Sequence, residues 1–259
     1  MDKKKFEAYS QYYDLLYKDK NYKKETEYVN SIISQFCSNA KNILELGCGT
    51  GIHASQLAKI GYTVEGVDVS DTMLRLALER RAELPIAISK RLSFLEGDIR
   101  TYESVLKFDA IISLFHVISY MTTNEDLNQT FKTAYKHLKP DGIFIFDCWH
   151  GPGVLKDKPT SRIKSFENEQ VSIKRTSLPN FIPTKNLVEV NFEINIHNKK
   201  THEDIYLKEI HSMRYLFIDE LKSIAEINGL EIIHAEEWLS KNVLSENSWY
   251  ACYVCKHKL

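Results

Sequence analysis

The sequence has few of the residues that mark special classes of protein. Its 259 residues include only 10 glycines, 6 prolines and 5 cysteines, and the net charge is −1. So little glycine and proline argues against a collagen-like or low-complexity chain, and an odd number of cysteines shows no disulfide framework. A charge near zero gives no long-range field for attracting nucleic acid or an anionic membrane. The chain also lacks the run of about 18 apolar residues that a membrane span requires.

What remains is an ordinary globular composition, 43% hydrophobic and 27% charged, with enough length for one α/β domain and an insertion. The first five residues are basic but lack the apolar stretch of a signal peptide, and we therefore expect a cytoplasmic protein. No histidine or cysteine pair combines helical spacing with a third ligand nearby, so we expect no metal. Neither nucleic acid nor a membrane is an expected partner.

Helices and strands alternate through the first half of the chain. After helices at about 6–18 and 22–37, the pattern predicts strands at 42–46, 62–68, 92–96 and 107–114, and helices at 52–60, 70–82 and 124–137. A Lys139–Gly142 turn leads into a strand at 143–147. Continuously apolar strands between helices indicate a parallel sheet covered on both faces, and ligands in such sheets bind beyond the carboxyl ends of the strands.

The pattern changes after residue 150. Apolar and polar residues alternate strictly from Leu187 to Ile196, which is typical of a half-exposed antiparallel strand. With neighbours near 168–177 and 203–216 it predicts a small antiparallel sheet, which we interpret as a lid. A helix at 218–228 and strands at 230–235 and 248–256 would return to the main sheet. The resulting division is a helical cap (1–40), a core (41–150), an insertion (151–216) and a C-terminal part of the core (217–259).

The most informative motif is a glycine-rich turn after the first strand. Gly47, Gly49 and Gly51 alternate with other residues, so the third glycine comes one place earlier than in a dinucleotide fingerprint. Asp68 ends the second strand, where a carboxylate suits ribose hydroxyls. Glu45 lies inside the first strand, where its charge is costly unless a cation or N–H donors meet it. A ligand with a ribose and an ammonium group but no pyrophosphate fits these features; a tight turn without a ligand is the alternative.

These segments resemble motifs of class I methyltransferases that depend on S-adenosylmethionine (SAM). The third motif is matched by Phe94–Ile99 and the fourth strand by Phe108–Leu114. The resemblance implies a Rossmann-like α/β fold with a mostly parallel seven-stranded sheet and a small antiparallel insertion as lid. It implies SAM as cofactor and S-adenosylhomocysteine as product. The cofactor-binding residues would be Glu45, Gly47, Gly49, Gly51, Asp68, Val69, Met73, Asp98, Ile99 and Leu114.

Methyl transfer mainly requires that the acceptor be aligned with the donor and shielded from water, and an amine or hydroxyl acceptor also needs a route for its proton. Candidate groups lie at the ends of the fourth and fifth strands and on the lid. We expect catalytic roles for His116, Tyr120 and His211. We expect substrate contacts from Trp149, His150, Glu209 and Arg214.

A narrower resemblance spans most of the chain. The sequence is similar to the aminosugar N,N-dimethyltransferases of macrolide biosynthesis, which act on nucleotide-linked sugars. The tyrosines of the segment from Tyr12 to Tyr22 match the part that closes over the donor in that family, which implies that Tyr13 and Tyr22 contact the donor. A nucleotide-linked acceptor requires positive charge for its phosphates. Basic residues after the fifth strand would supply it together with Arg214: Lys156, Lys158, Arg162 and Lys164.

The sequence therefore predicts a SAM-dependent N- or O-methyltransferase acting on a small acceptor, most simply a sugar or nucleotide-linked aminosugar. Three other readings stay open. In the first, the enzyme methylates tRNA, protein or another metabolite. In the second, the chain is a SAM-binding module without catalysis. A nicotinamide enzyme is the third, and Ile52, where a dinucleotide site has glycine, argues against it. Whether two chains pair as a homodimer is also left open.

Overall fold

The computed structural model describes residues 13–258. The strands of its central sheet are β1 (Asn42–Leu46), β2 (Thr63–Asp68), β3 (Leu92–Glu96), β4 (Phe108–Ser113), β5 (Leu138–His150), β10 (Leu230–Glu237) and β11 (Tyr250–His257). Their order in the sheet is β3-β2-β1-β4-β5-β11-β10, parallel from β3 to β5, with β11 antiparallel to both of its neighbours. The predicted Rossmann-like fold, with its mostly parallel seven-stranded sheet, is therefore confirmed.

Helices cover both faces of this sheet. They are α1 (Tyr22–Phe36), α2 (Ile52–Lys59), α3 (Asp71–Ala82), α4 (Ile86–Ser89), α5 (Asn124–His137), α6 (Gly151–Lys156) and α7 (Ile218–Ile227). In β5, Phe144 and Phe146 pack into the core under α5 and α7, while Ile143 and Ile145 pack into the core under α1 and α2. Because alternate side chains point to opposite faces and both faces are buried, the strand reads as an unbroken apolar run.

A second, antiparallel sheet is formed by the insertion. Its strands are β6 (Arg162–Glu167), β7 (Val171–Ile182), β8 (Leu187–Asn198) and β9 (Asp204–Leu216). The strand β6 comes earlier in the chain than any strand expected in the insertion. The two sheets join where β9 pairs with the end of β5 through only two positions, Trp149 with Tyr215 and His150 with Leu216. This junction sets the insertion over the carboxyl edge of the central sheet.

The predicted turn at residues 139–142 does not precede β5 but interrupts it. Phe108 pairs with Leu138 and Ala110 with Ile143, so four residues of β5 lie opposite the single residue Asp109. Lys139 closes this bulge by pairing its Nζ with the Asp109 carboxylate at 2.7 Å. The proline and glycine therefore produce a local excursion, after which the pairing with β4 resumes.

The N-terminal prediction is only partly covered by the structure. Residues 13–16 are helical, whereas residues 6–12 of the expected helix lie outside the described residues. The division of the chain at residues 40, 150 and 216 stays a prediction. Within residues 13–258, no helix is long and apolar enough to cross a membrane.

Candidate active site

One cavity of about 210 Å³ lies beyond the carboxyl ends of β1, β2, β4 and β5. Its donor side, as we call it, is formed by the glycine turn and the ends of β2 and β3. Its acceptor side is formed by the end of β4, by Trp149 of β5, and by β8 and β9. Fourteen of the predicted site residues line this cavity: Tyr13, Tyr22, Gly47, Gly49, Asp68, Val69, Met73, Asp98, Ile99, Leu114, His116, Tyr120, Trp149 and His211.

The three glycines of the turn all have positive φ but serve different purposes. A Cβ on Gly47 would lie 2.6 Å from Val117, and a Cβ on Gly51 would lie 2.7 Å from the Phe94 ring, so both are required by packing. A Cβ on Gly49 would meet nothing within 4 Å, although φ is +53°. Gly49 is thus the glycine whose bare backbone faces open space on the cavity, where a ligand can approach it.

Asp68 fixes the shape of this turn. Its Oδ2 accepts a hydrogen bond from the Gly49 N–H at 2.8 Å, and its Oδ1 accepts one from the Ser70 N–H at 2.9 Å. Burial raises the pKa of Asp68. Because each carboxylate oxygen has two lone pairs, the same oxygens remain able to accept hydrogen bonds from ribose hydroxyls in the cavity.

Next to Asp68 the donor side has an apolar surface and one further carboxylate. Val69, Met73, Ile99 and Leu114 line the cavity, a surface suited to a flat base. Asp98 also lines it, but Arg100 binds its carboxylate through Nε at 2.9 Å and through Nη2 at 2.5 Å. Although burial acts to raise it, the ion pair with Arg100 holds the pKa of Asp98 below its ordinary value.

Glu45 lies behind the glycine turn and does not line the cavity. Its side chain is 1% exposed, its Oε1 lies 3.7 Å from Nδ1 of His53, and its Oε2 has no hydrogen-bond partner. Burial raises the pKa of Glu45 to about 8, and the negative charge of Asp68 acts in the same direction. The Ala54 backbone and the charge of Lys20 act to lower this pKa, but burial outweighs them. His53, which does line the cavity, lies between Glu45 and Glu25.

The segment that follows residue 12 closes the donor side. Tyr13, Tyr17 and Tyr22 line the cavity. Asp14 fastens this segment to the glycine turn, since Thr50 Oγ1 donates to it at 2.7 Å and Arg80 forms an ion pair with it. The guanidinium of Arg80 also donates to the Thr50 carbonyl at 3.0 Å.

The end of β4 carries an unusual backbone. Phe115 and His116 both have positive φ, 64° and 63°, a conformation that costs free energy for non-glycine residues and is concentrated at functional sites. The bend directs His116 toward Asp147: its N–H donates to the carboxylate at 3.2 Å, and its ring Nδ1 lies 2.5 Å from Oδ2. The ring also stacks on Tyr250, with the centroids 4.5 Å apart.

A second histidine reaches the cavity from the insertion. His211 on β9 contacts the Tyr120 hydroxyl through Nδ1 at 2.7 Å and Glu209 through Nε2 at 3.0 Å. Its ring packs edge-on against Phe192 of β8. The acceptor side thus has two histidines, each beside a carboxylate, within an otherwise aromatic and apolar wall.

Five predicted site residues do not line the cavity. Gly51 packs against Phe94, Glu45 lies behind the turn, and Glu209 lies behind His211. His150 is 4% exposed, and its Nδ1 bonds the Ser248 carbonyl at 2.9 Å, so its side chain lies away from the cavity at which a contact with substrate was expected.

Arg214 is likewise held away from the cavity, because its guanidinium pairs with Glu220 and bonds Asn124 at 2.7 Å. Two of the four basic residues after β5 also make their contacts elsewhere. Lys156 pairs with Glu246, and Lys158 lies over the Phe181 ring. Among the described residues that line the cavity, none is a lysine or an arginine.

Sequence reasoning missed several aromatic and aliphatic residues of the acceptor side. Val117, Val190 and Phe192 line the cavity without having been predicted as site residues. The alternation in β8 had put Val190 and Phe192 on its apolar face. It did not indicate which members of that face reach the cavity, because this depends on how the two sheets are joined.

Comparison with known proteins agrees with this geometry. Residues 43–142 match a family described as "Methyltransferase domain". A protein of Geobacillus sp. (strain WCH70) named "Putative methyltransferase GWCH70_2453" is 27% identical over 97% of this chain and 99% of its own length. The dTDP-3-amino-3,4,6-trideoxy-alpha-D-glucopyranose N,N-dimethyltransferase of Streptomyces venezuelae is 29% identical over 56% of this chain and 59% of its own length.

Among solved structures, an S-adenosylmethionine-dependent methyltransferase from Clostridium acetobutylicum superposes with a TM-score of 0.78. It is 21% identical, and the match covers 97% of this chain and 98% of that one. The fold is the one that class I methyltransferases share. The protein is a SAM-dependent methyltransferase, with SAM as its methyl donor.

The glycine turn yields a first prediction. Gly49→Ala should fold, at a cost of roughly 1–2 kcal/mol for the left-handed backbone, but should bind S-adenosylhomocysteine at least about tenfold more weakly because the new methyl group enters the cavity. Gly51→Ala is the matched control. Gly51→Ala should lower the melting temperature more than Gly49→Ala does, because the new methyl group also clashes with Phe94. The folded Gly51→Ala protein should keep the wild-type affinity for S-adenosylhomocysteine. Calorimetric titration and thermal denaturation measure both, and equal affinities would refute the assignment of Gly49.

The buried Glu45 yields a second prediction. Its pKa of about 8 in the folded protein exceeds the ordinary value of 4.5, so the unfolded state loses the proton first as the pH rises. The free energy of unfolding should therefore fall between these two pH values, by up to about 1.4 kcal/mol per unit, and the loss should be complete above pH 8.

Glu45→Gln should lack this component of the pH dependence, whereas Glu27→Gln, at an exposed position of α1, should keep it. Urea denaturation at several pH values compares the three proteins. Parallel curves for the wild type and Glu45→Gln would contradict the protonated state.

Proposed function

We propose that the enzyme methylates an amine or hydroxyl of a small acceptor, and that nucleotide-linked aminosugars are its acceptor class. The observation that carries the proposal is that one cavity joins a donor side to a closed aromatic acceptor side. Gly49 and Asp68 line one end, and Trp149 and Phe192 line the other. An enclosed space of this kind suits a small ring and excludes a folded macromolecule from the donor.

Three features of the donor side fit SAM: the free space where a Cβ on Gly49 would lie, the Asp68 carboxylate, and the apolar surface beside that carboxylate. In the proposal Asp68 binds the ribose hydroxyls, Val69 and Met73 flank the adenine, and Asp98 and Ile99 contact its edge. Tyr13 and Tyr22 cover the methionine end. When bound, SAM supplies an activated methyl group: the acceptor's lone pair forms the bond to that carbon while the carbon–sulfur bond breaks and sulfur keeps the pair.

The chain itself supplies alignment and the exclusion of water. Trp149, Val190, Phe192 and Met213 form an apolar wall against which the acceptor packs, and Tyr120, His116 and His211 are the polar groups that orient it. Each of these three is proposed to assist loss of the acceptor's proton. His116 and His211 are both held beside a carboxylate, Asp147 and Glu209 respectively.

The proposed acceptor class rests on the similarity to the Streptomyces venezuelae sugar N,N-dimethyltransferase. The charges near the site add one constraint. Because no lysine or arginine is among the described lining residues, a nucleotide's phosphates would lie outside the cavity and only the sugar would enter it. The net charge of −1 does not favour tRNA as the alternative substrate.

The proposal predicts methyl transfer from labelled SAM to at least one member of a panel of dTDP-linked 3-amino and 4-amino deoxysugars. Quinols, tRNA and a cell protein extract serve as competing acceptors. Product mass identifies how many methyl groups are added. Transfer only to tRNA or protein would contradict the proposal that the acceptor is a small molecule. Transfer only to quinols would contradict the proposal that the acceptor is a sugar.

Trp149→Ala gives a second test of the acceptor side. It should raise the acceptor KM about tenfold, because an aromatic wall of the cavity is lost, and leave the affinity for S-adenosylhomocysteine unchanged. Tyr206→Ala, on the outward face of β9 and 51% exposed, is the matched control and should change neither. A drop in donor affinity with an unaltered acceptor KM would reverse the assignment of the two sides.

A further inference from the structure

Three side chains from two elements form a continuous hydrogen-bonded chain that ends on the cavity. Tyr120 closes a 3₁₀ turn (Val117–Tyr120) after β4, and its hydroxyl lies 2.7 Å from His211 Nδ1. Nε2 of the same ring lies 3.0 Å from Glu209 Oε2. His211 is 5% and Glu209 9% exposed, and Tyr120 and His211 line the cavity whereas Glu209 does not.

The two contacts of the imidazole favour one placement of its hydrogen. An ionised Glu209 carboxylate can only accept, so the ring hydrogen of His211 is on Nε2 and points to Glu209. In the neutral ring Nδ1 is then an acceptor, and the hydrogen between Nδ1 and Tyr120 belongs to the phenol. A phenol oxygen that donates its hydrogen still has lone pairs with which to accept another. The two hydrogen bonds therefore point in one direction: Tyr120 donates to His211, and His211 donates to Glu209.

We propose that Tyr120, His211 and Glu209 form a proton relay that takes the proton from the acceptor, with Tyr120 as the catalytic residue and Glu209 as a positioning residue. This inference rests on the proposed function, since it requires an acceptor with an N–H or O–H. It also reassigns Glu209, which was expected to contact substrate. The arrangement follows the logic of a serine–histidine–carboxylate triad, with a phenol in place of the serine.

The step balances without a further reactant. As the acceptor's nitrogen or oxygen forms its bond to the methyl carbon, its N–H or O–H proton passes to the Tyr120 oxygen. The phenolic proton passes at the same time to His211 Nδ1, so Tyr120 ends as a neutral phenol. The resulting imidazolium keeps its Nε2 hydrogen and is stabilised by the Glu209 carboxylate. The proton returns by the same path to solvent after the product leaves.

The surroundings of these three side chains favour proton transfer through a neutral phenol. Burial raises the pKa of Tyr120 far above its ordinary value, so a tyrosinate does not accumulate at neutral pH. The Phe192 ring lies 5.0 Å from His211, centroid to centroid, and shields the relay from water. The strand pairing sets Phe192 opposite Glu209 and Val190 opposite His211, so the orientation of the imidazole is fixed by the β8–β9 register.

The first test does not require an acceptor. In protein labelled with ¹⁵N-histidine, long-range ¹H–¹⁵N spectra should show neutral His211 protonated at Nε2 and not at Nδ1, with the signal assigned by its loss in His211→Ala. In Glu209→Gln the carboxamide both donates and accepts, so this tautomer should lose its preference. A wild-type ring protonated at Nδ1 would overturn the relay.

The second test uses whichever acceptor of the panel is methylated. Glu209→Gln and Tyr120→Phe should each lower kcat about tenfold to hundredfold with the S-adenosylhomocysteine affinity unchanged, and Glu209→Gln should also leave the acceptor KM unchanged. Glu193→Gln is the matched control, because Glu193 is on the same sheet, one position along β8 from Phe192, and points outward to Lys208.

The control should behave as wild type. A raised KM with an unaltered kcat in Glu209→Gln would overturn the relay, since Glu209 would then act in binding or packing. Transfer to other amines or hydroxyls but to no aminosugar would contradict the acceptor class alone, because the tautomer and the kcat–KM comparison would still decide the relay.

Discussion

The Asp68 carboxylate holds together the two turns on which the donor side depends. One oxygen accepts from Gly49 and the other from Ser70, so the turn after β1 and the turn after β2 share a single anchor. The Gly49 backbone is thereby held open to the cavity, while Gly47 and Gly51 are packed against side chains. Positioning by buried hydrogen bonds of this kind is what lets a ligand site be formed before the ligand arrives.

The acceptor side depends on how the insertion is attached. β9 meets β5 at only two positions, yet this contact sets His211 and Met213 on the same cavity as Trp149, near the end of β5. Within the insertion the β8–β9 pairing extends over eleven positions, from Leu187 opposite Arg214 to His197 opposite Asp204. The long register holds His211 and Glu209 in fixed positions on one face of the insertion, and Tyr120 reaches His211 from the turn after β4.

The core could be predicted from the sequence because its signals are local. Apolar runs such as Ile143–Phe146 and the glycine spacing after β1 indicate a buried parallel strand and a ligand turn without reference to other segments. The bounds of β1, β3 and α5 agree with the structure for this reason. A turn was predicted at residues 139–142, where the structure has a bulge inside β5, because whether a chain turns out of a strand or bulges from it depends on the neighbouring strand.

The polar side chains were harder to assign, because their orientation is set by partners far away in sequence. His150 and Arg214 were expected to contact substrate, but Ser248 and Glu220 bind them elsewhere. Glu209 was expected in the same role, and His211 lies between it and the cavity. A sequence indicates which strand bears a charged residue; it does not indicate which of two charged residues on one face meets the ligand.

Calorimetric titration of S-adenosylhomocysteine into the wild-type protein and Asp68→Asn tests the account most directly. The wild type should bind one equivalent per chain. Asp68→Asn should bind at least about tenfold more weakly, because an amide replaces an oxygen that accepts from the glycine turn and the ribose. Asp71→Asn, at the start of the next helix, should bind as the wild type does. Absence of heat with the wild type, or equal affinity in Asp68→Asn, would contradict the donor site.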